Sequence, residues 1–213
     1  MSDREGTKAL FLEEFCQAQG LGCLRLDYSA HGDSEGEFLK GTISSWAADA
    51  LAVINHATNA PLILVGSSMG GWIMLNLLKQ IPDRIIGLVG LAAAPDFTVR
   101  IESEMTEEQH QQVADIGYLR VPSEYGPDPY RFSKPLLEDG RTCQHLTGPI
   151  EMHCPLRLIH GKQDPDVPWE ISKKIHDLAT TTDKKVIYIE DGDHRLSRNE
   201  DLAVLKDVLL DLI

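Results

Sequence analysis

The sequence has few basic residues, few cysteines and no long apolar run. Of its 213 residues, 20 are Lys or Arg and 33 are Asp or Glu, which gives a formal net charge of −13. Nucleic-acid-binding proteins bring Lys and Arg to phosphate groups, so this balance argues against a nucleic-acid partner. No run approaches the ~18 apolar residues that a membrane-spanning helix needs, so we expect no membrane span.

The four cysteines, at positions 16, 23, 143 and 154, are too few for a disulfide framework in a chain of this length. Their spacing also matches no zinc-binding pattern. We therefore expect reduced thiols, no metal site and no cofactor. The first six residues, MSDREG, are polar and lack the apolar stretch of a signal peptide, so cytoplasm is the default location.

Hydrophobic spacing predicts helices that alternate with short strands. The strands are expected at 22–28, 61–65, 85–93, 156–159 and 185–190, and the helices at 7–19, 43–57, 69–80, 171–178 and 202–212. Gly20 is expected to end the first helix, and Thr42 is a candidate N-cap for the second. The unbroken apolar run at 61–65 is typical of a strand buried on both faces. This alternation predicts an α/β fold, a mostly parallel sheet with helices on both faces.

Between residues 96 and 154 the pattern changes. This stretch is rich in proline, and its one clear helix, around 106–116, is mostly polar. It is too long for an ordinary loop, and insertions of this kind often form lids over a binding site. We expect residues 1–213 to form one domain with residues 96–154 as an inserted cap.

The segment Gly66-Ser-Ser-Met-Gly70 matches the pattern G-x-S-x-G. Alone the pattern is common, but here it directly follows a predicted buried strand and opens a helix. This is the setting of a nucleophile elbow, where a tight turn projects the serine. Ser68 is the candidate nucleophile. The glycines of the pattern are expected to let strand and helix approach each other. A glycine-rich nucleotide-binding turn is the alternative.

A serine hydroxyl needs a base to take its proton, and the base needs an acid to orient it. Asp164 follows the strand predicted at 156–159, and His194 follows the strand predicted at 185–190. Both therefore lie at carboxyl ends of strands, where open α/β sheets place their active sites. The order Ser, acid, His predicts a triad of Ser68, Asp164 and His194. Asp166 is the second choice for the acid.

These motifs resemble those of the α/β hydrolases over nearly the whole chain. The segment HGKQDPDVP is similar to the family's acid loop, and its aspartate falls on Asp164. DYSAHGDSEG resembles the loop after an early strand. Shorter matches, including GTKA, GSSMGGW and DHR, resemble the group of alpha/beta hydrolase domain-containing protein ten. That resemblance implies palmitoyl-protein thioesterase and acyl-glucuronide esterase activities, and a mitochondrial location in animals.

The resemblance also implies an oxyanion hole made of two backbone N–H groups. Met69, which follows the nucleophile, would supply one. The other would come from a loop that precedes the first helix, yet the sequence begins at that helix. We therefore expect a chain that lacks the family's N-terminal strands and the second donor. The alternative is a remodelled sheet in which strands 22–28 and 61–65 pair directly.

The sequence thus predicts a serine hydrolase that cleaves carboxylic esters or thioesters through an acyl-enzyme on Ser68. Its partner would be a small or acylated substrate, and the oligomeric state is left open. A truncated or non-catalytic ligand-binding module, a transferase and a carbon–carbon hydrolase are the alternatives. Trp72 and Met74 would either lie in the hydrophobic core or form part of the wall of the substrate site. Four aromatic residues of the cap would either line an acyl pocket or pack the lid: Tyr118, Tyr125, Tyr130 and Phe132.

Overall fold

A four-stranded parallel sheet organises the chain. The computed structural model describes residues 3–122 and 129–213. The main sheet has the order β1-β2-β5-β6, formed by β1 (Leu62–Ser67), β2 (Ile85–Leu91), β5 (Leu156–Gly161) and β6 (Lys184–Ile189). All three pairings are parallel. The expected α/β architecture is thus confirmed, and the four strands lie within two residues of their predicted bounds.

Helices cover both faces of this sheet. They are α1 (Thr7–Gln19), α2 (Ile43–Ala57), α3 (Met69–Gln80), α7 (Glu170–Leu178) and α8 (Asn199–Leu210). Helices α1 and α8 pack on one face, and α3 and α7 pack on the other. Successive β2 residues Leu88 and Val89 therefore belong to opposite core clusters, as strand geometry requires.

Two predictions for the sheet are wrong. Residues 22–28 form neither helix nor strand, because within the described chain they have no neighbouring strand with which to exchange backbone hydrogen bonds. The strand at 61–65 is also not buried on both faces. In β1 only Gly66 is buried, since β1 is the last strand at its side of the described sheet. An apolar run predicts a strand but not its position in the sheet.

Residues with known capping preferences mark the start of α2 and the end of α1. Thr42 caps α2 through a capping box with Ser45, in which the threonine hydroxyl accepts the Ser45 N–H at 3.1 Å. Gly20 ends α1 in the left-handed conformation, with φ of 70°. The sequence predicts both residues at these positions.

The inserted segment, residues 96–154, lies between β2 and β5. Its elements are α4 (Phe97–Glu104), α5 (Glu107–Ile116), the antiparallel hairpin β3 (Tyr118–Val121) and β4 (Tyr130–Ser133), and α6 (Lys134–Thr142). Leu119 and Leu137 are buried in a small cluster of its own. Leu136 joins it to the main core beside Trp72. The predicted polar helix at 106–116 corresponds to α5.

Candidate active site

Ser68 lies in a sharp turn between β1 and α3. Its backbone has φ of 53° and ψ of −120°, a conformation that costs a residue with a side chain about 1–3 kcal/mol. The surrounding backbone holds it there. Ser68 donates its N–H to the Leu91 carbonyl at 2.9 Å, and its own carbonyl accepts the N–H of Ala94 at 3.0 Å. The strained turn projects the hydroxyl beyond the carboxyl end of the sheet.

The glycines of this turn have different roles. A Cβ on Gly66 would lie 2.4 Å from the Gly70 carbonyl oxygen, so the strand and the first turn of α3 approach only because Gly66 has no side chain. A Cβ on Gly70 would meet nothing within 4 Å. Gly71 is the second crowded position, because its Cβ would lie 2.5 Å from the Ala93 Cβ. The sequence argument was therefore right for Gly66 and wrong for Gly70.

The structure brings Ser68, His194 and Asp164 together. The Nε2 atom of His194 lies 3.0 Å from the Ser68 Oγ, and its Nδ1 lies 2.7 Å from the Asp164 Oδ2. Because a carboxylate only accepts, Nδ1 carries the proton and Nε2 presents its lone pair to the serine hydroxyl. The three residues come from three loops, which follow β1, β5 and β6. This geometry allows His194 to take the Ser68 proton.

Every lone-pair direction of the Asp164 carboxylate is used. Oδ1 accepts the backbone N–H groups of Asp166 and Val167, both at 2.9 Å. Oδ2 accepts from His194 and, at 3.2 Å, from the Nε2 of His160. Burial alone would raise the pKa of Asp164, but the hydrogen bonds from His160 and His194 outweigh it and hold that pKa well below its usual range. Asp164 is therefore an ionised, fully oriented partner for His194. Asp166 contributes its backbone N–H to this network.

Sequence reasoning missed the role of His160. Its ring is fully buried. Its Nε2 faces the Val167 carbonyl at 3.0 Å as well as the Asp164 carboxylate, so Nε2 carries the proton. Its Nδ1 lies 2.7 Å from the Ser172 Oγ and accepts that hydroxyl proton. The spacing of four residues between His160 and Asp164 in HGKQD was the available signal. Ser172, on α7, gave none.

The loop that carries His194 is anchored from the opposite end of the chain. Lys8, in the first turn of α1, donates to the carbonyl oxygen of Arg195 and lies 3.4 Å from the Ser197 Oγ. Burial lowers the pKa of the Lys8 ammonium, partly offset by Asp193. The Asp193 carboxylate in turn accepts the Leu196 N–H at 2.9 Å. These contacts hold the residues on both sides of His194.

Met69 is the first residue of α3. The N–H groups of a first helical turn have no partner within the helix, and the helix dipole is positive at this end. The Met69 N–H, adjacent to Ser68, is therefore available to a developing negative charge. Within residues 3–122 and 129–213, no group of three or more His, Cys, Asp or Glu side chains could hold a metal ion.

Other predicted residues fall mainly in the core. Trp72 is fully buried and donates its indole N–H to the Cys143 carbonyl at 2.9 Å, and Met74 is also buried. Phe132 contacts Phe97, with ring centroids 5.9 Å apart, and so packs the inserted segment against the core. Tyr118 instead lies beneath the Arg120 guanidinium on the surface of the hairpin.

Tyr130 stacks on the Phe132 ring at 6.1 Å. Tyr125 lies outside the described residues. In the part of the chain that is described, no helix is long and apolar enough to cross a membrane.

Comparisons with known proteins identify the family. Residues 9–123 match the family described as serine aminopeptidase, S33. The human palmitoyl-protein thioesterase ABHD10, mitochondrial, is 36% identical over 214 residues, which is 100% of this chain and 70% of that protein. The crystal structure of a putative hydrolase from Agrobacterium vitis S4 superposes with a TM-score of 0.97 at 40% identity, covering 100% of this chain and 84% of the other.

Alpha/beta hydrolase domain-containing protein 10 from mouse superposes with a TM-score of 0.91 at 34% identity, covering 99% of this chain and 85% of the other. The family match, the full-chain identity and the two superpositions agree with the α/β fold described above. The chain is therefore an α/β hydrolase that belongs to the serine aminopeptidase S33 family, in the group that includes the ABHD10 proteins.

Proposed function

We propose that this protein hydrolyses carboxylic esters or thioesters with Ser68 as the nucleophile, His194 as the general base and Asp164 as the orienting acid. One observation carries the proposal: the continuous hydrogen-bond chain from the Ser68 Oγ through both ring nitrogens of His194 to a buried carboxylate. A serine at a strained turn with this arrangement is what nucleophilic acyl transfer requires.

In the first half-reaction the Ser68 Oγ attacks the substrate carbonyl carbon while His194 Nε2 takes the hydroxyl proton. The carbonyl oxygen becomes an oxyanion, to which the Met69 N–H donates. The tetrahedral intermediate collapses, the bond to the leaving oxygen or sulfur breaks, and His194 returns the proton to the leaving group. The product is an alcohol or thiol and an acyl-enzyme on Ser68.

In the second half-reaction the same groups act on water. His194 Nε2 takes a proton from water, whose oxygen attacks the acyl carbon, and the proton then passes to the Ser68 Oγ as the acid leaves. Throughout, Asp164 stays ionised and stabilises the imidazolium, because its pKa is held low by His160 and His194. The cycle consumes one water and needs no cofactor.

The names of the relatives support thioesters as one substrate class. The human relative is named a palmitoyl-protein thioesterase and a mitochondrial protein. For this chain we propose acyl esters and thioesters as a class, with the chain length to be measured. The relative's name indicates a mitochondrial location, whereas the sequence alone predicts a cytoplasmic one. Imaging of the tagged protein in its host distinguishes the two locations.

We also propose that residues 96–154 act as a cap within a single domain of residues 1–213. A contact between the inserted segment and the acid loop supports this. Arg100 on α4 donates its Nη2–H to the Asp166 carbonyl at 2.9 Å, two residues from Asp164. The cap would shield the acyl-enzyme from bulk solvent while leaving a path for substrate.

The test is steady-state hydrolysis of p-nitrophenyl esters and acyl-coenzyme A thioesters of increasing chain length. We expect turnover of at least one series, and a loss of roughly 10³-fold or more in kcat for Ser68→Ala. Ser67→Ala is the matched control, because Ser67 is adjacent in the chain but ends β1. Equal rates for wild type and Ser68→Ala would contradict the proposal.

A second pair of variants tests the choice of acid. Asp164→Asn should lower kcat by about 10³–10⁴-fold, because the amide would favour the wrong tautomer of His194. Asp166→Asn should retain activity, since Asp166 contributes only its backbone N–H to the network. A large loss in Asp166→Asn with little loss in Asp164→Asn would exclude Asp164 as the acid.

A further inference from the structure

A cavity of about 260 Å³ lies between the inserted segment and the core, separate from the serine turn. Its wall is formed by residues within 94–103, by the 144–147 loop, by Val167 of the acid loop and by one side of α7. Within the described part of the chain, Ser68, Asp164 and His194 are not among the residues that line it. The proposed hydrolytic mechanism makes no use of this space.

Most of the cavity wall is apolar. The residues that give it this character are Ala94, Pro95, Phe97, Leu146, Val167 and Ile171. The volume is just below the range for ligand pockets, about 300–1,000 Å³. At about 30 Å³ per water-sized group, it has room for about nine non-hydrogen atoms. The occupant that fits is therefore small and largely apolar.

Two cationic side chains from different elements reach the same cavity: Arg100 from α4 and Lys174 from α7. The Arg100 guanidinium donates to the Asp166 carbonyl at 2.9 Å and forms a 3.6 Å ion pair with the exposed Glu104. Lys174 is exposed, and its ammonium attracts the Asp96 carboxylate electrostatically without forming an ion pair with it. Two cations that converge on one cavity are notable in a chain whose net charge is −13.

Among the described residues of the wall, Asp96 is the one carboxylate, and it already accepts hydrogen bonds. Asp96 lines the cavity, but its Oδ1 accepts the His145 N–H at 2.9 Å and its Oδ2 accepts the Leu146 N–H at 2.7 Å. These hydrogen bonds fix the 144–147 loop, and among the described residues Asp96 forms no ion pair with Arg100 or Lys174. The remaining polar side chains of the wall are uncharged: Ser103, Gln144 and Thr147.

We propose that this cavity binds a small amphipathic carboxylate, with its chain against the apolar wall and its head between Arg100 and Lys174. A second ligand site of this kind goes beyond the proposed hydrolysis and does not depend on it. A medium-chain fatty acid has the required size and charge. A neutral alcohol of the same length would make the apolar contacts without the ionic ones.

Isothermal titration calorimetry with sodium octanoate tests the site, and 1-octanol serves as the uncharged probe. Lys174→Met should raise the Kd for octanoate by about fivefold, the effect of losing one solvent-accessible ion pair. The matched control is Lys173→Met. Lys173 is the adjacent residue on α7, but its ammonium pairs with Asp177 and does not line the cavity. We expect its Kd to stay within about twofold of wild type, and 1-octanol binding to be the same in all three proteins.

Three results would overturn the proposal. One is the absence of octanoate binding at the highest concentration below micelle formation. Another is an unchanged Kd in Lys174→Met, which would place octanoate elsewhere, such as at the serine. The third is an equal weakening by both lysine variants, which would indicate a non-specific effect of charge. Because binding is measured without turnover, each result is distinguishable from failure of the hydrolytic proposal.

Discussion

Acid should destabilise this protein through one buried histidine, His145. Its ring is 4% exposed, and neither ring nitrogen has a hydrogen-bond partner among the described residues. Burial lowers the pKa of the ring to about 3, and the nearby Lys79 ammonium acts in the same direction. In the unfolded chain the same ring titrates near ~6.5.

Between these two values the unfolded state binds a proton that the folded state does not. The free energy of unfolding therefore falls as the pH drops from about 6.5 towards about 3. At about 1.4 kcal/mol for each pH unit, this one group lowers stability by about 2 kcal/mol between pH 7 and pH 5. That is a large share of the ~5–15 kcal/mol typical of a domain.

Urea denaturation at pH 7 and pH 5 measures this effect in wild type and in His145→Leu. The variant replaces the ring with an apolar side chain that cannot titrate, so its loss of stability over this range should be about 2 kcal/mol smaller. His56→Asn is the matched control, because it also removes a histidine, but one that is exposed on α2. Parallel pH profiles for wild type and His145→Leu would refute the reasoning.

Two further predictions concern the serine turn and the acid loop. Gly66→Ala should lower the melting temperature and the activity, because the new Cβ would overlap the Gly70 carbonyl. Gly70→Ala should be tolerated, because a Cβ there meets nothing within 4 Å. Equal melting temperatures in the two variants would contradict this prediction. His160→Leu should lower kcat by roughly tenfold with little change in KM, because Asp164 loses one of its four hydrogen-bond donors. Ser172→Ala should have a smaller effect in the same direction, and an unchanged kcat in His160→Leu would exclude a positioning role.

The sequence predicted those parts of the fold that depend on local patterns. Apolar runs located the four strands of the sheet, and the cap of α2 at Thr42 and the end of α1 at Gly20 follow from side-chain chemistry within a few residues. The sequence prediction failed where a secondary-structure element depends on a partner that is distant in the chain. Residues 22–28 have strand-like composition, but a strand exists only where a neighbour accepts and donates its hydrogen bonds.

For the candidate site, motif order indicated Ser68, Asp164 and His194, which the structure brings within hydrogen-bond distance. Of the supporting residues, His160 lies four positions before Asp164, a signal that the motif reading passed over. Lys8 could not be predicted, since its contact with Arg195 joins the two ends of the chain. The cations of the cavity lie about 70 positions apart in sequence, on elements that only the folded chain brings together.

The central claim is that His194 activates Ser68 as a nucleophile, and covalent labelling tests it most directly. The purified protein is treated with a fluorophosphonate, and the adduct is located by intact and peptide mass in wild type, Ser68→Ala and His194→Ala. We predict a single adduct on Ser68 in wild type, none in Ser68→Ala, and strongly slowed labelling in His194→Ala. A folded wild-type protein with no adduct, or with an adduct on another residue that persists in Ser68→Ala, would contradict the account.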